Sequence, residues 1–64
     1  MEKQNELRRM TRLVKANYTD ITFKSLAEYL EISEAGFYNW LNGYYELSKN
    51  NSHKLECLVI DLLD

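Results

Sequence analysis

The sequence predicts an all-α fold, and three observations lead to it. Proline, the residue that interrupts helices, is absent, and hydrophobic residues make up 45% of the 64-residue chain. Apolar residues recur at three- and four-residue spacings in successive segments, as they do on the buried face of an amphipathic helix. We therefore expect a single small domain over residues 1–64, whose folding buries only about 60% of the surface of the unfolded chain.

The first predicted helix spans about residues 3–16. Its inner face is expected to carry four apolar residues, Leu7, Met10, Leu13 and Val14. A neighbouring stripe carries the basic residues Arg8, Arg12 and Lys15. This stripe is either an ordinary solvated face or a surface that contacts phosphate groups.

The second predicted helix begins after Thr22, whose hydroxyl can accept a hydrogen bond from a free amide of the first turn. Ile21 before this cap and Leu26 after it are placed as a hydrophobic staple. The inner face is expected to include Leu26 and Leu30, with Ala27 as the small residue where two helices cross.

The third predicted helix follows a short turn at residues 31–33, with Ser33 as its N-cap. Its inner face is expected to carry Phe37, Trp40 and Leu41. Two helices this short cannot bury their apolar faces separately, so the turn must fold one across the other. The spacing therefore predicts a helix-turn-helix over about residues 23–43.

Gly36 within the third helix costs about 1 kcal/mol relative to alanine, which suggests a close approach to the preceding helix. Asn42 and Gly43 are typical of a helix C-terminus. In the loop that follows, at least one of Tyr44 and Tyr45 is expected to cover the edge of the core.

A fourth helix is predicted from about Ser48 to Leu63. Its inner face is expected to carry four apolar residues, Leu55, Leu58, Val59 and Leu62. Ile60 and Leu63 are expected to project to another side. Spare apolar residues in so small a chain suggest a homodimer contact, although isolated surface apolar residues are common.

The chain also resembles the lambda-repressor-like DNA-binding domains of phage repressors and Cro-type proteins. The residues that carry this resemblance are the segments LAEYL, then IS, then FYNWLNG. The resemblance extends from Phe23 into the last helix. It implies a compact bundle of four or five helices that binds double-stranded operator DNA as a homodimer. The family usually has a glycine at the position of Glu31, so the resemblance also implies a left-handed backbone there.

The outward side of the third helix supplies the candidate base contacts. These are Ser33, Glu34, Ala35, Tyr38, Asn39 and Asn42. Asn39 can pair with adenine, Ala35 and Tyr38 can touch a thymine methyl group, and Glu34 can accept from cytosine. The alternative is a plain solvated surface, on which Glu34 favours the positive end of its own helix.

Candidate phosphate contacts lie around this helix. They are Thr22, Lys24, Ser25, Tyr44, Tyr45, Lys49 and Asn50. Helix N-termini present free amides to an anion, and tyrosine hydroxyls can donate to phosphate oxygens. The alternative for the residues at the start of the second helix is capping alone.

The charge of the chain opposes DNA binding in part. The net charge is −2 and the pI is near 5.3. Residues 1–24 carry six basic and three acidic side chains, whereas residues 25–64 carry two basic and seven acidic ones. The third helix carries no Lys or Arg between Ser33 and Gly43. These features favour an alternative function, a protein-interaction module of antirepressor or anti-CRISPR type.

Other classes of function find little support in the sequence. No signal peptide or transmembrane segment is evident, so we expect a cytoplasmic protein without a membrane partner. The single Cys57 cannot form an intramolecular disulfide. His53 and Cys57 are spaced i, i+4, but two ligands do not make a zinc site. We expect no metal, no cofactor and no catalytic residue, and hence no enzyme.

Overall fold

Four α-helices follow one another in the computed structural model, which describes the backbone of residues 2–64 and the side chains of residues 4–64. They are α1 (Glu2–Asn17), α2 (Phe23–Leu30), α3 (Glu34–Leu41) and α4 (Lys49–Leu63). Residues 2–64 contain no strand. The predicted all-α fold is confirmed, and each predicted helix boundary lies within one residue of the observed one.

The helices form two packed pairs around one core. α1 packs along α4, and α2 packs against α3. Phe37 and Trp40 of α3 are fully buried, and their ring centroids lie 5.5 Å apart. Among the side chains of residues 4–64, eleven buried hydrophobic ones form the core: Leu7, Val14, Leu26, Ala27, Leu30, Phe37, Trp40, Leu41, Leu47, Leu55 and Val59. Leu47, in the loop before α4, was not expected among them.

The inner face of α1 differs from the predicted one. Leu13 is 48% exposed, and Met10 is only partly buried. Three polar residues are buried on this helix instead, namely Gln4, Arg8 and Thr11. The Thr11 hydroxyl donates to the carbonyl oxygen of Leu7. The helix is therefore rotated toward its polar side, because Gln4 and Arg8 find hydrogen-bond partners in the interior.

The predicted N-caps Thr22 and Ser33 are confirmed, and Ser48 also caps the helix that follows it. Thr22 and Ser25 form a reciprocal capping box at the start of α2. The Ser33 hydroxyl accepts from the amide of Gly36 at 2.9 Å, and the Ser48 hydroxyl accepts from the amide of Asn51 at 3.1 Å. Each cap satisfies an amide that the helix itself leaves without a partner.

The turn between α2 and α3 passes through a left-handed residue. Glu31 has φ 61° and ψ 40°, and its amide donates to carbonyl oxygens at the end of α2. This conformation costs a non-glycine residue about 1 kcal/mol or more. The left-handed backbone implied at this position is confirmed. Its effect is to reverse the chain within residues 31–33, so that α3 returns against α2.

Gly36 has a different role from the one expected. A Cβ atom on this residue would lie 3.0 Å from the Ser33 Oγ and 3.2 Å from the Tyr45 hydroxyl oxygen. The expected close approach of α2 is therefore wrong. Glycine leaves room for the N-cap hydroxyl and for Tyr45, whose hydroxyl donates to the Gly36 carbonyl oxygen at 2.7 Å.

The inner face of α4 largely follows the prediction. Leu55 and Val59 are fully buried, and Leu58 and Leu62 are partly buried against the core. Leu63 was expected to project to another side but also packs partly against the core. Ile60 is 43% exposed, as expected for an outward residue. Of the two residues assigned to a dimer contact, Ile60 is thus the more accessible.

Candidate nucleic-acid interface

The two sides of α3 differ sharply in burial. Phe37, Trp40 and Leu41 are buried. The six residues predicted to contact bases are all exposed, and together they define what we call the α3 face: Ser33, Glu34, Ala35, Tyr38, Asn39 and Asn42. The helical period places them on one side of α3 and its two caps, where they are accessible to a macromolecule.

The Tyr38 ring is held in place by a residue of the preceding helix. The Tyr38 and Phe23 rings are close to perpendicular, with an interplanar angle of 86° and 5.5 Å between centroids. Phe23 in turn lies 5.7 Å from the buried Phe37 ring. The largest side chain of the α3 face is therefore supported by the core, which lowers the entropy lost when it binds a partner.

The hydroxyl groups at the start of α2 are engaged in capping. The Thr22 Oγ1 accepts from the Ser25 amide at 3.1 Å, and the Ser25 Oγ accepts from the Thr22 amide at 3.2 Å. The Ser25 hydroxyl also donates to the Thr22 carbonyl oxygen at 2.7 Å. Lys24 is exposed beside them in the first turn. Of this group, Lys24 has the side chain best suited to a phosphate oxygen.

The two tyrosines after α3 have different surroundings. Tyr44 is 78% exposed. Tyr45 uses its hydroxyl proton in the hydrogen bond to Gly36 and braces the loop against α3. Tyr45 itself is 41% exposed, so the expected covering of the core edge by a tyrosine stays a prediction. The Tyr44 hydroxyl is left as the better hydrogen-bond donor to a phosphate oxygen. Lys49 and Asn50 are exposed at the start of α4.

The basic stripe predicted on α1 does not form one surface. Arg8 is only 7% exposed. Its guanidinium donates to the Trp40 carbonyl oxygen at 2.5 Å, to the Tyr45 carbonyl oxygen at 2.9 Å and to Asn5 at 2.8 Å. Lys15 is partly buried. The reading of this stripe as a solvated or phosphate-binding face is therefore wrong for Arg8, which joins α1 to the end of α3.

Opposite charges mark the two ends of α3. Glu31 and Glu34 are exposed at its N-terminal end. At its C-terminal end, the exposed Arg12 donates to the Leu41 carbonyl oxygen at 3.0 Å. Both placements stabilise α3, because the helix dipole is positive at the N-terminus, where the carboxylates lie, and negative at the C-terminus, where the guanidinium lies. A polyanion would meet repulsion at one end of the α3 face and a cation at the other.

A buried polar network sets the position of Trp40. The Gln4 Oε1 accepts from the Trp40 Nε1 at 2.7 Å and from the Leu47 amide at 3.3 Å. The Gln4 Nε2 donates to the Ser52 hydroxyl at 2.8 Å. Gln4 thus connects α1, α3, the loop and α4 through one side chain. Because Trp40 belongs to α3, the network helps to orient the α3 face on the opposite side of that helix.

Among the described side chains, those of residues 4–64, no group of three or more His, Cys, Asp or Glu is arranged to hold a metal ion. None of the four described helices is both long and apolar enough to span a bilayer.

Comparisons of the chain with protein-family models, with curated proteins and with solved structures find no match. We therefore infer function from the chemistry and geometry of the side chains.

Gln4 and Arg8 are the main residues that the sequence interpretation missed. A signal for Gln4 was present, since Gln4, Leu7, Thr11 and Val14 follow the spacing of one helical stripe. Polar residues on such a stripe lower its apparent hydrophobicity, so a search for apolar periodicity favoured the rotated face that contains Leu13.

Proposed function

We propose that this chain is a sequence-specific DNA-binding transcriptional regulator with a helix-turn-helix, similar to phage or bacterial repressors and Cro-type proteins. In this proposal α2 and α3 form the motif, and α3 enters the major groove of operator DNA. The observation that carries it is the α3 face, since all six side chains chosen for their chemistry toward bases are exposed while the opposite side of α3 is buried.

Direct readout would rest on three side chains in the middle of the α3 face. The Asn39 amide can donate and accept toward the N6 and N7 atoms of adenine. Ala35, one turn earlier, and the ring of Tyr38 can contact the methyl group of thymine. These are uncharged contacts, so they would contribute specificity rather than non-specific affinity.

Phosphate contacts would come from the periphery. Lys24, Tyr44, Lys49 and Asn50 are exposed and carry donors for phosphate oxygens. Arg12 of α1 adds a further cation, because its guanidinium lies at the C-terminal end of α3. From the sequence alone, this residue was considered only as part of the basic stripe on α1. With so few cations, the salt dependence of binding would be shallow.

The regulator would act by binding alone, as a homodimer and without catalysis. A two-fold dimer presents two α3 helices to the halves of a palindromic site. Ile60 is exposed on α4 and is available to such a contact. A cytoplasmic location follows from the proposed function, because the DNA that the regulator binds is the cell's own or that of a phage.

Selection from a pool of random duplex DNA at several salt concentrations tests this proposal. The expected result is enrichment of a palindrome. The logarithm of the association constant should fall by about 0.9 per phosphate contact for each tenfold rise in salt concentration. Asn39→Ala should weaken binding to the selected site by about 5- to 150-fold, as expected for loss of one bidentate base contact. Asn17→Ala, at the exposed end of α1, is the matched control and should bind like the unaltered chain.

A protein-interaction module is the second candidate function. It is favoured by the exposed Glu31 and Glu34 at the start of α3 and by the burial of Arg8. In that case no duplex would be enriched even at low salt, and the partner would present a basic surface to these two carboxylates. Glu31→Gln, at an exposed carboxylate outside the α3 face, separates the two functions, since it should strengthen DNA binding but weaken binding to a basic protein.

A further inference from the structure

α4 carries a histidine and a cysteine one helical turn apart on its exposed side. Both His53 and Cys57 are exposed. The His53 Nε2 and the Cys57 Sγ lie 3.7 Å apart. Residues at i and i+4 share one helix face, and helix geometry therefore holds the two side chains together before any ligand arrives.

This separation matches that of two ligands on one tetrahedral metal ion. With a Zn–S distance of about 2.3 Å, a Zn–N distance of about 2.0–2.1 Å and a tetrahedral angle, the sulfur and nitrogen atoms lie about 3.6 Å apart. Thiolate and imidazole are also the ligands that zinc prefers in structural sites. The pair is thus arranged as half of a tetrahedral site.

One chain supplies only this half. The described residues offer no cluster of three or more metal-ligating side chains. Structural zinc sites, by contrast, have four protein ligands. A second copy of the chain, related by a two-fold axis through the metal, would supply the identical pair and complete the set.

We propose that His53 and Cys57 of two copies of this chain bind one zinc ion in a Cys₂His₂ site and so join the copies through α4. Because the site is incomplete without the second copy, we infer that this copy binds the side of α4 that carries His53 and Cys57. Zinc would join the two copies whether or not the chain binds DNA.

The surroundings of the pair suit a second copy of α4. Ile60 lies three residues beyond Cys57 and is 43% exposed, so that a partner there removes apolar surface from water. An antiparallel pairing brings the end of α4 that carries Lys49 alongside the partner's acidic end, where Asp61 lies. A parallel pairing would set the two acidic ends together, which costs electrostatic energy.

Metal binding releases protons in a defined way. Each Cys57 thiol loses its proton to solvent as the Zn–S bond forms, and each His53 binds as neutral imidazole through Nε2.

Sedimentation velocity of the full chain, with and without zinc chloride in the presence of a non-thiol reductant, tests the proposal. Zinc should double the molecular mass with one zinc ion per two chains, and a chelator should reverse the change. Cobalt(II) in place of zinc should give the intense visible bands of a tetrahedral ion together with thiolate-to-cobalt charge transfer.

Two variants and one control make the test specific. Cys57→Ser and His53→Ala each remove two of the four ligands and should raise the zinc concentration needed for half-dimerisation by more than about 100-fold, since even indirect partners of zinc ligands are worth about 10–100-fold. Glu28→Gln, an exposed carboxylate on α2, should leave the response to zinc unchanged. His53→Ala also distinguishes zinc from a disulfide, because a disulfide would still form through Cys57.

Three results would overturn the proposal. One is zinc bound at one ion per chain without a change in mass. Another is a zinc-induced assembly that both variants retain. The third is the absence of zinc binding by the unaltered chain at micromolar concentrations.

Discussion

The Arg8 guanidinium lies 5.3 Å from the centroid of the Trp40 ring and donates to the carbonyl oxygen of the same residue at 2.5 Å. A charged group from α1 therefore satisfies the backbone at the end of α3 and covers its largest buried ring. Arg12 lies one turn after Arg8 on α1 and likewise donates to a carbonyl oxygen at the end of α3, that of Leu41. These two arginines act as side-chain caps for a helix that has no basic residue in its own last turn.

Arg8→Ala should lower the free energy of unfolding by about 2–4 kcal/mol, because it removes the charged hydrogen bonds to the Trp40 and Tyr45 carbonyl oxygens and the cation–π contact with the Trp40 ring. Urea denaturation followed by tryptophan fluorescence measures the change. Arg9→Ala is the matched control, since Arg9 is exposed and its ion pair with the exposed Glu6 is screened by solvent, and it should cost less than about 1 kcal/mol. Equal effects of the two substitutions would contradict the structural role of Arg8.

Gln4→Leu should destabilise the chain by about 1–3 kcal/mol, since the Trp40 indole N–H would be buried without an acceptor. Trp40→Phe removes that donor. In a double-mutant cycle the two substitutions should couple by about 1 kcal/mol. Gln4→Leu combined with Tyr44→Phe, which is exposed and lies outside the network, should be additive. A coupling energy near zero for the first pair would show that the hydrogen bond adds nothing to stability.

Glu31→Gly should stabilise the turn between α2 and α3, because glycine adopts φ near 61° without the steric cost borne by glutamate. The greater flexibility of glycine in the unfolded chain offsets part of the gain, which leaves up to about 1 kcal/mol. Thermal unfolding followed by circular dichroism measures the shift in Tm. Glu28→Gly, inside α2, should instead destabilise by about 1 kcal/mol. A loss of stability at position 31 would mean that the Glu31 side chain matters more than its backbone.

Lys24→Ala tests the phosphate contacts of the proposed DNA complex. It should weaken binding to specific and non-specific duplexes alike, and the slope of log affinity against log salt should fall in magnitude by about 1. Fluorescence anisotropy over a range of salt concentrations provides both quantities. Lys54→Ala is the control, since the Lys54 ammonium donates to the Tyr29 carbonyl oxygen at 3.2 Å and lies over the Tyr29 ring. An unchanged slope for Lys24→Ala would remove this residue from the interface.

Much of the architecture could be predicted from short-range patterns. The caps at Thr22, Ser33 and Ser48, the buried side of α3 and the exposure of Asn39 all follow from interactions or periodicity within one or two helical turns. Such features depend on residues that are close in sequence. They can therefore be inferred before any tertiary contact is known.

The position of the candidate site could be predicted from the sequence. Which of its hydroxyl groups are free to donate to a phosphate could not. The side of α3 that faces solvent follows from the helical period. Whether the Ser25 and Tyr45 hydroxyls can donate to a phosphate depends on their partners, Thr22 and Gly36. For Tyr45 that partner lies nine residues away, across a turn whose path the sequence does not specify.

By itself the sequence determined the all-α fold, the order and limits of four helices and the polarity of α3. Only the tertiary structure decided that α1 turns Gln4 and Arg8 inward and leaves Leu13 exposed. Burial of a polar side chain becomes favourable only when its hydrogen bonds are made. Here Gln4 binds Ser52, which is 48 residues away in the sequence, and Arg8 binds Trp40, which is 32 residues away. Such partners become neighbours only through the packing of α1 against α3 and α4.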